Sequence, residues 1–150
     1  MIRYTRITKE RTPDKLQPDL LAAIYTHLAA KGLEDEINNA LMSIETASTK
    51  HVKKLLRQWT ETDHSGVILT PKWLIYAIKT ANEKLIVLSG RLANLNIEAY
   101  EKSPMHAIVP DTGLNISGFN IGESQGIIFI GLGTEVAAQK FRDQLSKVVN

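Results

Sequence analysis

The chain has no cysteine. That excludes disulfides, cysteine-based zinc sites and a cysteine nucleophile. It also has no excess of one charge. Lys and Arg number 18 against 16 Asp and Glu, with ten against nine in residues 1–65 and eight against seven in residues 66–150. A nucleic-acid partner asks for a basic face, so none is expected. No long apolar run occurs: the longest, Gly126 to Leu132, is far too short to cross a bilayer. The opening "MIRYTRITKERTPDK" lacks the apolar stretch of a signal peptide, and a cytoplasmic globular protein is expected. The four histidines, His27, His51, His64 and His106, stand alone with no H-x-x-x-H pair, so no metal centre is expected.

What is present reads as two regions of different texture. A chain of 150 residues is long enough to bury about 70% of its unfolded surface in one core. Residues 18–60 read as helix. Pro18 suits a first helical position and Asp19 the positive end of the dipole. Leu20, Leu21, Ile24 and Leu28 follow at three- and four-residue spacing. Gly32 ends that helix, with Leu33 folding back on Leu28. A second helix is expected from Glu34-Asp35-Glu36 through Ile37, Leu41, Ile44, Val52, Leu55, Leu56 and Trp59, continuous or broken at Thr46 to Thr49. The three acids at its start offset the dipole.

From Ser65 the texture is that of strands. "GVILT", "WLIYAIK", "KLIVLSG", "LANLNIEAYE", "GLNISGFNI" and "GIIFIGL" are short, rich in branched residues and separated by turn chemistry. "SPMHAIVPDTG" with its two prolines reads as a long loop. A last amphipathic helix carries Ala137, Phe141, Leu145 and Val148 on one face. This pattern predicts an antiparallel meander whose exposed face or end is covered by one helix.

The glycine turn Gly131-Leu132-Gly133 has the look of a phosphate loop but not its sequel. The third glycine position is Val136, and no second strand with a ribose-binding acid follows. No Gly-Lys-Ser/Thr of a Walker loop occurs either. The glycines are read as a structural bend. Asp63-His64-Ser65 has the residue types of a hydrolytic triad. Chain neighbours do not align nucleophile, base and acid, so it is read as a polar boundary.

"GVILTPKWLIYAIK" resembles the strand–turn–strand signature of bacterial pleckstrin-homology-like domains. The matching residues are Val67 to Leu69, Thr70, Pro71-Lys72 and Leu74-Ile75-Tyr76. "GIIFIGLG" and "TEVAAQKFRDQLSKVV" are similar to that family's last strand and capping helix, so the resemblance spans about residues 60–150. It implies a bent antiparallel sheet or partly open barrel of six or seven strands, plugged by the C-terminal helix. Such domains are similar to modules that bind phosphoinositides or peptides, and no constellation of acid, base and nucleophile in the sequence points to an enzyme. The lipid-binding branch uses basic loops between early strands. Here those loops offer Lys72, Lys79, Lys84 and Arg91, scattered and accompanied by Glu83.

The expected architecture is therefore α+β. A helical hairpin in residues 1–64 packs on a pleckstrin-homology-like domain in residues 65–150. The expected function is non-enzymatic binding or assembly without a cofactor, through a protein partner or self-association into oligomers. Lys53, Lys54, Arg57, Trp59, Lys72, Trp73 and Lys84 are the candidate contacts, with Tyr76 a further large side chain. The alternative is an anionic membrane surface met by "KHVKKLLRQW" as a basic amphipathic helix, or by the Lys72 and Lys84 loops. Lys50, Lys53, Lys54 and Arg57 supply about 1 kcal/mol each near such a surface. The total, about 4 kcal/mol, is only millimolar binding. The apolar side of that helix continues the stripe of Ile37, Leu41 and Ile44, so it is expected to be buried against the rest.

Overall fold

The computed structural model describes residues 2–121 and 124–149, without the side chains of residues 121, 124 and 125. Its strands are β1 (Ile2–Glu10), β2 (Met42–Lys54), β3 (Arg57–Leu69), β4 (Trp73–Lys79), β5 (Leu85–Arg91), β6 (Asn96–Ala99), β7 (Gly113–Ile121) and β8 (Ser124–Gly131). Helix α1 (Pro18–Ala30) lies between β1 and β2, and α2 (Val136–Val149) follows β8. Five strands form one sheet in the order β1-β2-β3-β4-β5, and β6-β7-β8 form a second. Every pairing is antiparallel, and no closed barrel forms. The α+β class, the antiparallel layer and the C-terminal helix are as the sequence pattern implied.

The helical hairpin is not what forms. Its first half is right: α1 buries Leu20, Ile24 and Leu28. It ends as read, with Gly32 at φ +68°, Gly32 N–H donating to Ala29 O at 3.1 Å and Leu33 N–H to Leu28 O at 2.8 Å. After a short 3-10 stretch at Glu34–Asn39, however, residues 42–54 are β2 and residues 57–69 are β3. The division at residue 64 accordingly falls inside β3. The physical reason lies in long-range partners. Thr46 and Ser48, which looked like a helix break, point to the interior. There the Thr46 hydroxyl shares a hydrogen bond with that of Thr8 at 2.8 Å, and Ser48 Oγ accepts from Arg6 Nη1 at 2.7 Å. Thr46, Thr49 and Val52 are β-branched and fit a pleated sheet. Those pairings outweigh the weak preference that the three- and four-residue spacing expressed.

The continuous apolar runs of β3 and β4 follow from burial on both faces. Val67, Leu69, Leu74 and Tyr76 face inward, where they join Leu114, Ile116, Phe119 and Ile130 of the second sheet and Ala138, Phe141 and Leu145 of α2. Ile68, Ile75 and Ala77 face outward and meet Leu16, Leu20, Ile24 and Leu28. Helix α1 thus covers the outer face and α2 the inner. Burying Leu20, Ile24 and Leu28 contributes about 2 kcal/mol each, an upper figure for α1 docking.

At Thr8 the free edge of β1 is met by the β8–α2 connection. Thr8 N–H donates to Glu135 Oε2 at 3.0 Å, and Gly133 N–H donates to Thr8 Oγ1 at 2.8 Å. A Cβ on Gly131 would sit 2.3 Å from Arg6 Nη1, so that glycine makes room for a side chain of β1 rather than for a phosphate.

Candidate interface at the tip of the β2–β3 arm

Strands β2 and β3 are each 13 residues long, more than their neighbours can match. Among the described residues β1 pairs with β2 as far as Val52, opposite Ile2, and β4 joins β3 from His64 onward. The end of the hairpin forms an arm in which Val52 still lies between Ile2 and Trp59, and beyond it Lys53 stands opposite Gln58 and Lys54 opposite Arg57. Leu55 and Leu56 form the turn between them. They are 99% and 95% exposed.

Neither turn chemistry nor packing accounts for those two leucines. Two-residue hairpin turns favour Asn-Gly or Asp-Gly, because the primed turn types need positive φ. Among the described residues Glu83 is the one non-glycine residue with positive φ, so the Leu55-Leu56 turn is not of that kind. Two large apolar side chains held in water at a turn are a local conflict without a structural gain, and such conflicts cluster at functional sites.

Around the tip the side chains are basic and aromatic. The Trp59 ring has Arg57 Cζ 4.9 Å and Lys54 Nζ 5.6 Å from its centroid. Its Nε1–H donates to Glu61 Oε1 at 3.2 Å, which fixes the ring along the arm. Residues 2–4 and 50–61 together carry Arg3, Lys50, Lys53, Lys54 and Arg57 against the single carboxylate of Glu61. A cleft of about 510 Å³ opens beside the arm between Arg3, His51, Lys53, Gln58, Trp59 and Thr60. His51 Nε2 and Thr5 Oγ1 are 3.0 Å apart at its edge.

Of the residues singled out from sequence, Lys53, Lys54, Arg57 and Trp59 come together here. They do so as a hairpin tip and not as a helix face. Lys72 and Trp73 lie past the far end of β3, a path of about 40 Å along the strand from Arg57 at about 3.4 Å per residue. There the Thr70 hydroxyl accepts from both backbone N–H groups, and Arg91 sits 5.9 Å from the Trp73 ring centroid. Lys84 belongs to the β4–β5 turn, tied to Thr80 by backbone bonds. Neither loop adds to the arm. Tyr76 is a core residue; burial first, and then the Asp63 carboxylate, push its phenol up to about 12. Asp63, His64 and Ser65 are successive residues of β3, so the imidazole points to the opposite face from its two neighbours.

Sequence reasoning missed Ile2, Arg3 and Tyr4, because β1 went unread. Alternation of Ile2, Tyr4, Arg6 and Thr8 with Arg3, Thr5, Ile7 and Lys9, rich in β-branched residues, was the available signal. The expected helix over this segment would have buried Leu55 and Leu56, which are exposed.

A larger hollow, about 720 Å³, lies elsewhere, between β6 and the end of α2. Its Arg142 is engaged by Glu101 at 2.7 Å. No described helix is long and apolar enough to cross a membrane. No group of three or more His, Cys, Asp or Glu placed to hold a metal ion occurs among the described residues. The chain matches no family model, no curated protein and no solved structure.

Proposed function

We propose that the protein is a non-enzymatic binding module on a pleckstrin-homology-like scaffold, and that its target is an anionic bilayer surface met by the β2–β3 arm. The observation that carries this reading is the nearly complete exposure of Leu55 and Leu56 inside a ring of cations beside Trp59. Tryptophan is a preferred side chain at the membrane interface, where its ring is apolar and its N–H wet. Lys and Arg extend past apolar neighbours to reach headgroups.

Magnitudes support the membrane reading. The four cations of residues 50–57 alone give about 4 kcal/mol. Two leucines released from packing add up to about 2 kcal/mol each on leaving water. The sum, about 8 kcal/mol, corresponds to micromolar binding. As a helix the same segment would have had its leucines buried and only the charges available.

Co-sedimentation with phosphatidylserine-containing vesicles, set against neutral phosphatidylcholine vesicles, tests this. Binding to the anionic vesicles is expected to fall with salt, as screened charges require. It is expected to be lost in Lys53→Glu/Lys54→Glu and in Leu55→Asn/Leu56→Gly. Equal binding to both vesicle types, or variants that bind like the parent chain, would overturn the reading.

A further inference from the structure

A second exposed apolar element lies at the base of the arm, in the loop between β6 and β7. From Ser103 to Pro110 no residue is Asp, Glu, Lys or Arg. Pro104, Met105, Ala107, Ile108, Val109 and Pro110 are all exposed, Ile108 at 75%. The loop is nonetheless held firmly. Val109 N–H donates to Met105 O at 2.7 Å, and the Tyr100 hydroxyl donates to Val109 O at 2.6 Å. Its side chains face water because the backbone is fixed that way.

Arg6 sets the position of this loop relative to the arm. Its guanidinium grips both Asp111 oxygens, at 2.8 and 2.7 Å, and lies 5.2 Å from the Phe129 ring centroid and 4.7 Å from that of Tyr4. By strand alternation Arg6, Tyr4 and Ile2 point to one side of the sheet, and the register places Lys50, Trp59 and Arg57 on that same side. Loop and arm thus flank a single side of the molecule. That side carries exposed Ile2 and Tyr4 along the arm and the Leu55-Leu56 turn at its end.

Resting on the membrane reading above, we propose that the loop 104–110 is a second foot on the same anionic bilayer. The arm then lies with its Tyr4 and Trp59 side toward the lipid instead of touching it by the tip alone. The occupant is a bilayer because the side that the apolar loop shares with the arm carries, within residues 50–61, Lys50, Lys54 and Arg57 against the one carboxylate of Glu61, and Lys102 lies near the loop in the chain. Apolar insertion flanked by basic side chains matches the layering of acyl chains and anionic headgroups.

The absence of cysteine allows single labels. Leu56→Cys, Ile108→Cys and Glu34→Cys would each carry an environment-sensitive fluorophore and be mixed with phosphatidylserine-containing vesicles holding brominated lipid. The probes at 56 and 108 are expected to shift to the blue and be quenched, and the probe at 34, on the α1 side, to stay unchanged. In the unlabelled chain Ile108→Asp is expected to weaken vesicle binding about tenfold, the effect of losing one apolar anchor. A response at 56 with none at 108 overturns the second foot and leaves the arm reading standing. Silence at both positions, with no co-sedimentation, overturns both. A response at 108 that follows protein concentration without vesicles assigns the loop to a second copy of the chain and overturns the lipid assignment.

Discussion

Arg6 and Asp111, separated by 105 positions in the chain, meet in a two-pronged ion pair, Nε to Oδ1 at 2.8 Å and Nη2 to Oδ2 at 2.7 Å. Their side chains are only 10% and 14% exposed. The pair ties the first strand to the start of β7. Removing one member leaves a charge shut away from water. Asp111→Ala is expected to cost about 3 kcal/mol of stability, read from urea unfolding. Arg6→Met combined with Asp111→Leu is expected to recover most of that loss, since no charge then remains buried.

Leu55→Asn/Leu56→Gly separates fold from function. Asn-Gly is a favoured hairpin turn, and neither leucine packs on anything in the folded chain. Its urea midpoint is expected to match or exceed that of the parent chain, while vesicle binding disappears. A clear drop in the midpoint would mean that the leucines serve the fold.

Glu101 gives the fold an acid-sensitive joint. Burial alone would raise its pKa. The Arg142 guanidinium and the backbone N–H groups of Glu101 and Gly113 more than offset this and hold the carboxyl below the usual range. A lowered folded-state pKa stabilises fully above the unfolded value, about 4.3 for glutamate. That contribution is lost as the pH falls through the folded value. Glu101→Gln is therefore expected to be less stable than the parent chain at pH 7. The gap should close under acid conditions, as paired urea titrations would record.

Two glycines separate backbone strain from crowding. Gly118 has φ +107° beside a register shift between Ser117 and Phe119 in β7, and a Cβ there would sit 2.2 Å from Asn94 O. Gly118→Ala is expected to cost about 2 to 3 kcal/mol, a combination of strain and clash. Gly32 has φ +68° with open space around it, so Gly32→Ala is expected to cost only about 1 kcal/mol, the left-handed penalty alone. Thermal melts of the two variants rank the effects.

Sequence pattern was readable wherever burial was one-sided at helical spacing or total in a strand. Leu20, Ile24 and Leu28 declared α1, and the unbroken runs around Ile68 and Ile75 declared β3 and β4. The sequence pattern failed over residues 42–59. Interior positions there are filled by Thr46 and Ser48, whose partners Thr8 and Arg6 lie some 40 residues away. No local periodicity reports a hydrogen bond to a distant strand, and the apolar residues left over happened to fall three and four apart. At the candidate interface the grouping of Lys53, Lys54 and Arg57 with Trp59 was legible by composition. The exposure of Leu55 and Leu56 was not, because it depends on residues 42–69 pairing as a hairpin with these two at its turn.

The seal on β1 has a consequence for biosynthesis. Strand β1 is synthesised well before Gly133 and Glu135, the residues that meet its outer edge at Thr8. Throughout translation the nascent chain carries an open pairing edge, the kind of surface that recruits chaperones or neighbouring polypeptides. Closure of that seam joins residues more than 120 positions apart, so it belongs to the late and slow part of folding.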